Sequence, residues 1–269
     1  MINFVTEMSE EKNMSFLEHL EELRWRLVKI SISIIVVACV LFYFQEWIMR
    51  TFFISMKDPS FPTFKLMTNL FGIQFQKIPL EFQSTTMSGQ FSYALMMSIM
   101  GGIVLSFPFI FYQIWGFVKP GLKQNEKSVA KGMVVYVSGL FFIGILFGYF
   151  IVAPLCVQFF GSYQITKDIQ NIFTISSYLS TILSTVFYSG LLFLLPVLSY
   201  IFTRLGIANA AFFRKYRKHA IVGILILAAL ITPPDLISQV IVSIPIILLY
   251  EIGIIVAARV EKKMKKDNE

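Results

Sequence analysis

Three glutamates, Glu18, Glu21 and Glu22, lie in the stretch SFLEHLEELRWRL, Ser15 to Leu27, immediately before the first long apolar run. Ser15 followed by Glu18 has the spacing of a capping box, so a helix is expected to start there. Leu17, Leu20 and Leu27 recur at helical spacing. Residues 1–27 are therefore expected to carry an amphipathic helix lying against the inner membrane face before the chain turns inward. Internal pairing accounts for some of the charge: Glu22 can meet Arg26 at i,i+4 and Glu21 can meet Arg24 at i,i+3, each worth ~0.2–0.5 kcal/mol. It does not explain why acids gather at a boundary that favours cations.

Other chemically capable residues are few. Glu251 falls inside an apolar run, where a carboxylate is expensive and normally faces protein or water, unless the run is short enough for it to reach the interface. Asp235 follows Pro233 and Pro234 and can cap the helix after it, with Gln239 on the same hairpin. Cys39, Cys156, His19 and His219 show no metal-ligand spacing, so all four are expected to be structural and no metal site is expected. The chain has no Gly-x-Ser-x-Gly and no P-loop, and no histidine–acid cluster is read from it, so neither ATP hydrolysis nor proteolysis is suggested.

The elements that must position these residues are membrane spans. Hydrophobic residues make up 56% of the 269, charged residues 14%, and phenylalanine alone counts 28, whereas soluble chains are about a quarter charged. The net charge of +7 sits in short connectors between apolar runs, a pattern of topology and anionic lipid headgroups rather than nucleic acid. A hydrocarbon core of about 30 Å needs ~20 helical residues. Six spans are expected, over 28–45, 91–118, 132–160, 177–202, 217–231 and 240–258, in one polytopic domain. The last two are expected to be short: the apolar run Ala220–Ile231 rises only about 18 Å before Pro233 and Pro234 stop it, and the sixth contains Pro245.

With the N-terminus in the cytoplasm, eighteen of the 23 lysines and arginines fall on that side, which predicts both termini inside. No internal repeat of the transporter kind is found, and no cleavable leader is expected before the first run. The first outer connector, roughly Glu46 to Gln90, is expected to cap the outer ends of the spans, with WIMRTFFISM helical and the loop 161–170 as its neighbour.

HLEELRWRL resembles the N-terminal motif of the TatC family, the polytopic subunit of the twin-arginine protein translocase. FPFIFYQIWGFVKPGLKQNEK (Phe107–Lys127) is similar to the family's second span and first cytoplasmic loop. GYFIVAPL (Gly148–Leu155) resembles the end of its third span, and ITPPDLISQ with IPIILLYEIG (Ile231–Gly253) its final hairpin. The resemblance implies a receptor in the plasma (inner) membrane, or an organellar one, that recognises signal peptides with two consecutive arginines at the cytoplasmic face. It implies no cofactor.

By motif position, Glu22 and Glu126 correspond to the family's arginine-binding carboxylates, with Gln113 and Phe117 beside them and Arg24 and Arg26 as motif support. A guanidinium's planar fork suits a carboxylate in a way that lysine cannot imitate. Glu251, Asp235 and Gln239 would belong to the region where single-span partner subunits of the TatA and TatB type assemble into an oligomeric complex. One departure stands out: Leu194 and Leu195 precede Pro196 where many members carry a polar or acidic residue. The alternative function is a proton-coupled small-solute transporter that uses Glu251.

Overall fold

Phe16–Tyr43 forms one unbroken helix, α1, of 28 residues. The structure is a computed structural model that describes residues 16–72, 82–118, 129–166, 171–232 and 236–268. The expected surface helix does not end at residue 27. Polarity changes there, but neither glycine nor proline occurs between Phe16 and Tyr43, so the backbone has no cause to turn. Ser15 of the capping box lies outside the described residues.

Beyond Tyr43 the chain shortens its helical units. Helix α2 (Gln45–Ile48) passes into a π turn (Met49–Phe53) and a 3-10 turn (Ile54–Lys57). Helix α3 (Pro62–Phe71) opens with a proline in its first turn and closes on Gly72 at φ 69°, where a left-handed residue ends a helix without strain from a Cβ. Strand β1 (Phe82–Gln83) pairs in parallel with β2 (Phe173–Thr174), Phe82 opposite Phe173.

The long helices follow. Helix α4 covers Gly89–Val118. Helix α5 (Val129–Phe147) continues through a π turn, Gly148–Val152, into α6 (Ala153–Ser162). Pro154 explains the π turn: it has no N–H to give the carbonyl of Phe150. The Thr63 hydroxyl of α3 donates to that carbonyl instead. Two tyrosines extend the same clamp, the Tyr149 hydroxyl donating to Phe52 O at 2.9 Å and the Tyr178 hydroxyl to Phe53 O at 2.6 Å. Residues 49–64 are thereby fixed on the π turn, on α6 and on the helix that holds Tyr178, with Met56 and Phe64 buried among Val157, Leu179 and Ile182.

Helix α7 (Ile175–Leu192) breaks at Phe193 and Leu194 before α8 (Leu195–Arg204), because Pro196 cannot continue the ladder. Helix α5 and its π turn press closely on α7: a Cβ on Gly148 would stand 2.8 Å from Ser189 Cβ and 2.9 Å from the Val186 backbone. Small residues permit this approach between membrane helices, where lipid gives no hydrophobic drive to associate. After α9 (Ala210–Lys215) come α10 (Arg217–Ile231) and α11 (Leu236–Asn268).

Five helical segments among the described residues are long and apolar enough to cross a membrane: Leu17–Tyr43, Gly89–Phe117, Gly132–Ser162, Ile175–Arg204 and Gln239–Lys265. Helix α10, with 15 residues, rises about 22 Å. It ends inside protein, where Ile231 O accepts from Thr185 Oγ1 at 3.5 Å and lies 3.9 Å from Cys156 Sγ. The last carbonyls of a helix have no partner within it, and these contacts supply one. The last helix corrects the expectation of two short ones. It is 33 residues long, because Pro245 is tolerated within it and the charged stretch after Ala258 continues as helix.

Candidate functional site

The inner contact of α1 is with α4, and it is close. Ala38 is the buried residue of α1 among those described, seated where Gly102 of α4 would place a Cβ 2.9 Å from Ile34 O and 3.2 Å from Ala38 Cβ. This contact carries the first turns of α1 past the last turns of α4.

Four of the residues singled out in the sequence meet there. Glu22 and Arg26 face each other one helical turn apart: Arg26 Nε donates to Glu22 Oε1 at 2.9 Å and Nη2 donates to the same oxygen at 2.5 Å. The third nitrogen, Nη1, donates across to α4, to the backbone carbonyl of Gln113 at 3.1 Å and to its side-chain Oε1 at 3.4 Å. Gln113 is buried, so its amide oxygen needs such a donor. Gly116 makes the slot: a Cβ there would collide with Arg26 Nη1. Phe117 completes the group from one residue further on.

Two of these neighbours were not anticipated. His19, expected to be structural, stacks on Phe117 with ring centroids 4.2 Å apart and planes 14° from parallel. Its Nδ1 stands 4.0 Å from Glu22 Oε2. The i,i+3 spacing to Glu22 was visible in the sequence, whereas the partner ring on α4 was not. Gly116 carried no sequence signal at all. The two oxygens of Glu22 are thus unequal. Oε1 is taken up by Arg26, and Oε2 is turned toward the His19 edge of the stack, with the side chain about a quarter exposed at 24%.

Arg24 lies apart from this group. It reaches Glu21 at 3.5 Å, well exposed, and its guanidinium sits 5.8 Å over Trp25. Glu126 and Asp235 lie outside the described residues. At the other end of the chain, Glu251 on α11 has a partner that the sequence did not announce. Arg217, the first residue of α10, binds it with both arms, Nε to Oε1 at 2.8 Å and Nη2 to Oε2 at 2.8 Å. Both groups are more than a third exposed, which holds the pair to about 0–1 kcal/mol. Gln239 Nε2 donates to Leu225 O at 3.2 Å and ties α11 to α10.

Leu194 packs with Trp115, Val137 and Val197, and Leu195 with Val152 and Ile246. Both fill apolar space where the resembling family often has a polar group. Among the described residues no set of three histidines, cysteines or acids could hold a metal ion.

Residues 18–245 match the family model "Sec-independent protein translocase protein (TatC)". A protein of the same name from Blattabacterium sp. subsp. Periplaneta americana is 36% identical over 95% of this chain and 100% of its own length. One from Helicobacter pylori is 36% identical over 93% and 90%, and TatCy of Bacillus subtilis is 33% identical over 95% and 93%. A crystal structure of the twin-arginine translocase receptor TatC in the detergent DDM superposes with a TM-score of 0.68 at 29% identity, covering 89% of this chain and 99% of that one.

Proposed function

Because the chain belongs to the TatC family of Sec-independent protein translocase proteins, we propose that Glu22 and Glu126 form its receptor site for the paired arginines of a signal peptide. The chain is a membrane protein of a protein-transport system. One observation carries the reading of its site: Glu22, Gln113 and Phe117, far apart in sequence, gather at one end of the α1–α4 contact. A charge-assisted bond to a carboxylate contributes about 1.5–3 kcal/mol, so two acids engaging two guanidiniums would dominate recognition.

The topology that serves this site has six crossings, with α10 as the short one and both termini in the cytoplasm of a plasma membrane. The lysine and arginine asymmetry supports it. The connector from Glu46 to Gln90 then caps the outer ends, a reading favoured by the burial of Phe53, Met56, Phe61 and Phe64 against α6 and α7. The chain acts as a receptor and assembly platform rather than an enzyme. Single-span subunits of the TatA and TatB type are its partners near Gln239, Asp235 and Glu251. The alternative of a proton-coupled solute transporter has no support among the relatives, and Glu251 is engaged by Arg217.

Crosslinking tests the site. A photoreactive group at position 22 or 126 is expected to capture a leader peptide bearing Arg-Arg and to leave its Lys-Lys counterpart largely uncaptured. Equal capture of both would end this assignment.

A further inference from the structure

The geometry around Glu22 bears on how an arginine would be told from a lysine there, a question that rests on the proposal that Glu22 receives an arginine. Selection of guanidinium by a carboxylate is usually ascribed to the fork, two oxygens meeting two parallel N–H groups. That explanation needs both oxygens. Here Oε1 already accepts from Nε and Nη2 of Arg26, and Arg26 is held in turn by Gln113 in a slot that Gly116 leaves open. What remains for a visitor is Oε2, and a single oxygen accepts from an ammonium as readily as from a guanidinium.

Beside Oε2 lies a feature that does discriminate. The His19 ring, its Nδ1 4.0 Å from that oxygen, stacks nearly parallel on Phe117. The His19 side chain is 41% exposed, so the stack is reachable. A planar, weakly hydrated guanidinium lies well against flat aromatic groups, whereas a compact, strongly hydrated ammonium gains much less.

We propose that Arg26 reserves one oxygen of Glu22, and that the His19–Phe117 stack, rather than a carboxylate fork, selects arginine over lysine at this position. Arg26 and Gly116 are positioning residues in this scheme. His19 and Phe117 determine specificity.

The experiment measures binding of synthetic leader peptides bearing Arg-Arg and Lys-Lys to the full-length protein in lipid nanodiscs. For wild type and for His19→Ala, Phe117→Leu, His19→Phe and Glu22→Gln, the quantity read is the Arg-Arg to Lys-Lys affinity ratio. Loss of an aromatic–cation contact is expected to lower that ratio on the order of fivefold in His19→Ala and in Phe117→Leu. Lys-Lys affinity should fall by a smaller factor, and the flat ring of His19→Phe should keep the ratio. Glu22→Gln is expected to weaken both peptides. A ratio that stays at the wild-type value in His19→Ala and Phe117→Leu overturns the proposal, including the case in which both affinities fall together. Unchanged Arg-Arg binding in Glu22→Gln would instead overturn the underlying assignment of Glu22.

Discussion

Glu22 shows how far a single residue can be read from its neighbours in sequence. The i,i+4 partner was legible, and Arg26 is there at 2.9 Å. The contacts that give the pair its direction were not, because Gln113 lies 87 positions away and only the crossing of two helices brings it near. Gly116 belongs to the same lesson. A glycine in an apolar helix reads as a neutral choice until its neighbour is known. Gly116→Ala is expected to push the Arg26 guanidinium out of its slot, to free Glu22 Oε1 for a visiting fork and so to strengthen Arg-Arg peptide binding about tenfold, the gain of roughly one charged hydrogen bond at the low end of its range. Titration of labelled peptide against the variant checks this, and wild-type affinity would show that the slot is dispensable. At Glu251 the partner comes from another helix, 34 residues earlier, with no periodic signal to announce it. The swap Arg217→Glu with Glu251→Arg should restore thermal stability lost by either single change, within the ~1 kcal/mol that an exposed pair can contribute.

Helices show the opposite balance. Their existence followed from apolar runs, while their ends were misjudged wherever polarity changed without a backbone breaker. Helix α1 continues through residue 27 and α11 continues past Ala258 for the same reason: charge alone does not stop a helix, whereas Pro233 and Pro234 mark where α10 has already ended. The π turn at Gly148–Val152 was hidden in GYFIVAPL, since only the proline hinted that a carbonyl would need a new donor. That donor is Thr63, and the clamp it forms with Tyr149 and Tyr178 makes a distinct prediction. Tyr178→Phe and Thr63→Val each leave an acceptor without its hydroxyl and should cost about 1 kcal/mol. The readout is the melting temperature of purified protein; a double variant no less stable than wild type would argue against the clamp. Helix α10 carries another. Four leucines inserted after Leu225 would lengthen it by about 6 Å and remove its mismatch with a 30 Å core. Export of a twin-arginine passenger should then fall, if the short helix serves by thinning the bilayer locally. Wild-type export would contradict that role.

At the scale of the molecule, composition alone announced a membrane bundle, because a chain with 14% charged residues has too little polar surface to face water on all sides. Which helices touch was not legible, since lipid-facing and protein-facing residues are equally apolar. The orientation makes its own prediction: single cysteines at positions 12 and 262 should react with a membrane-impermeant maleimide only in inverted vesicles, and one at position 57 only in right-side-out cells. Labelling of position 12 from outside would reverse the whole assignment. Helix α1 has one further consequence. It carries Glu22 near one end and, about 28 Å along at 1.5 Å per residue, Leu41 in the wall of an apolar cavity of about 830 Å³ shared with Met97, Ile182 and Val186. A rod without a joint works as a lever. A displacement at the carboxylate end would be felt, as a rigid shift, at the rim of that hollow.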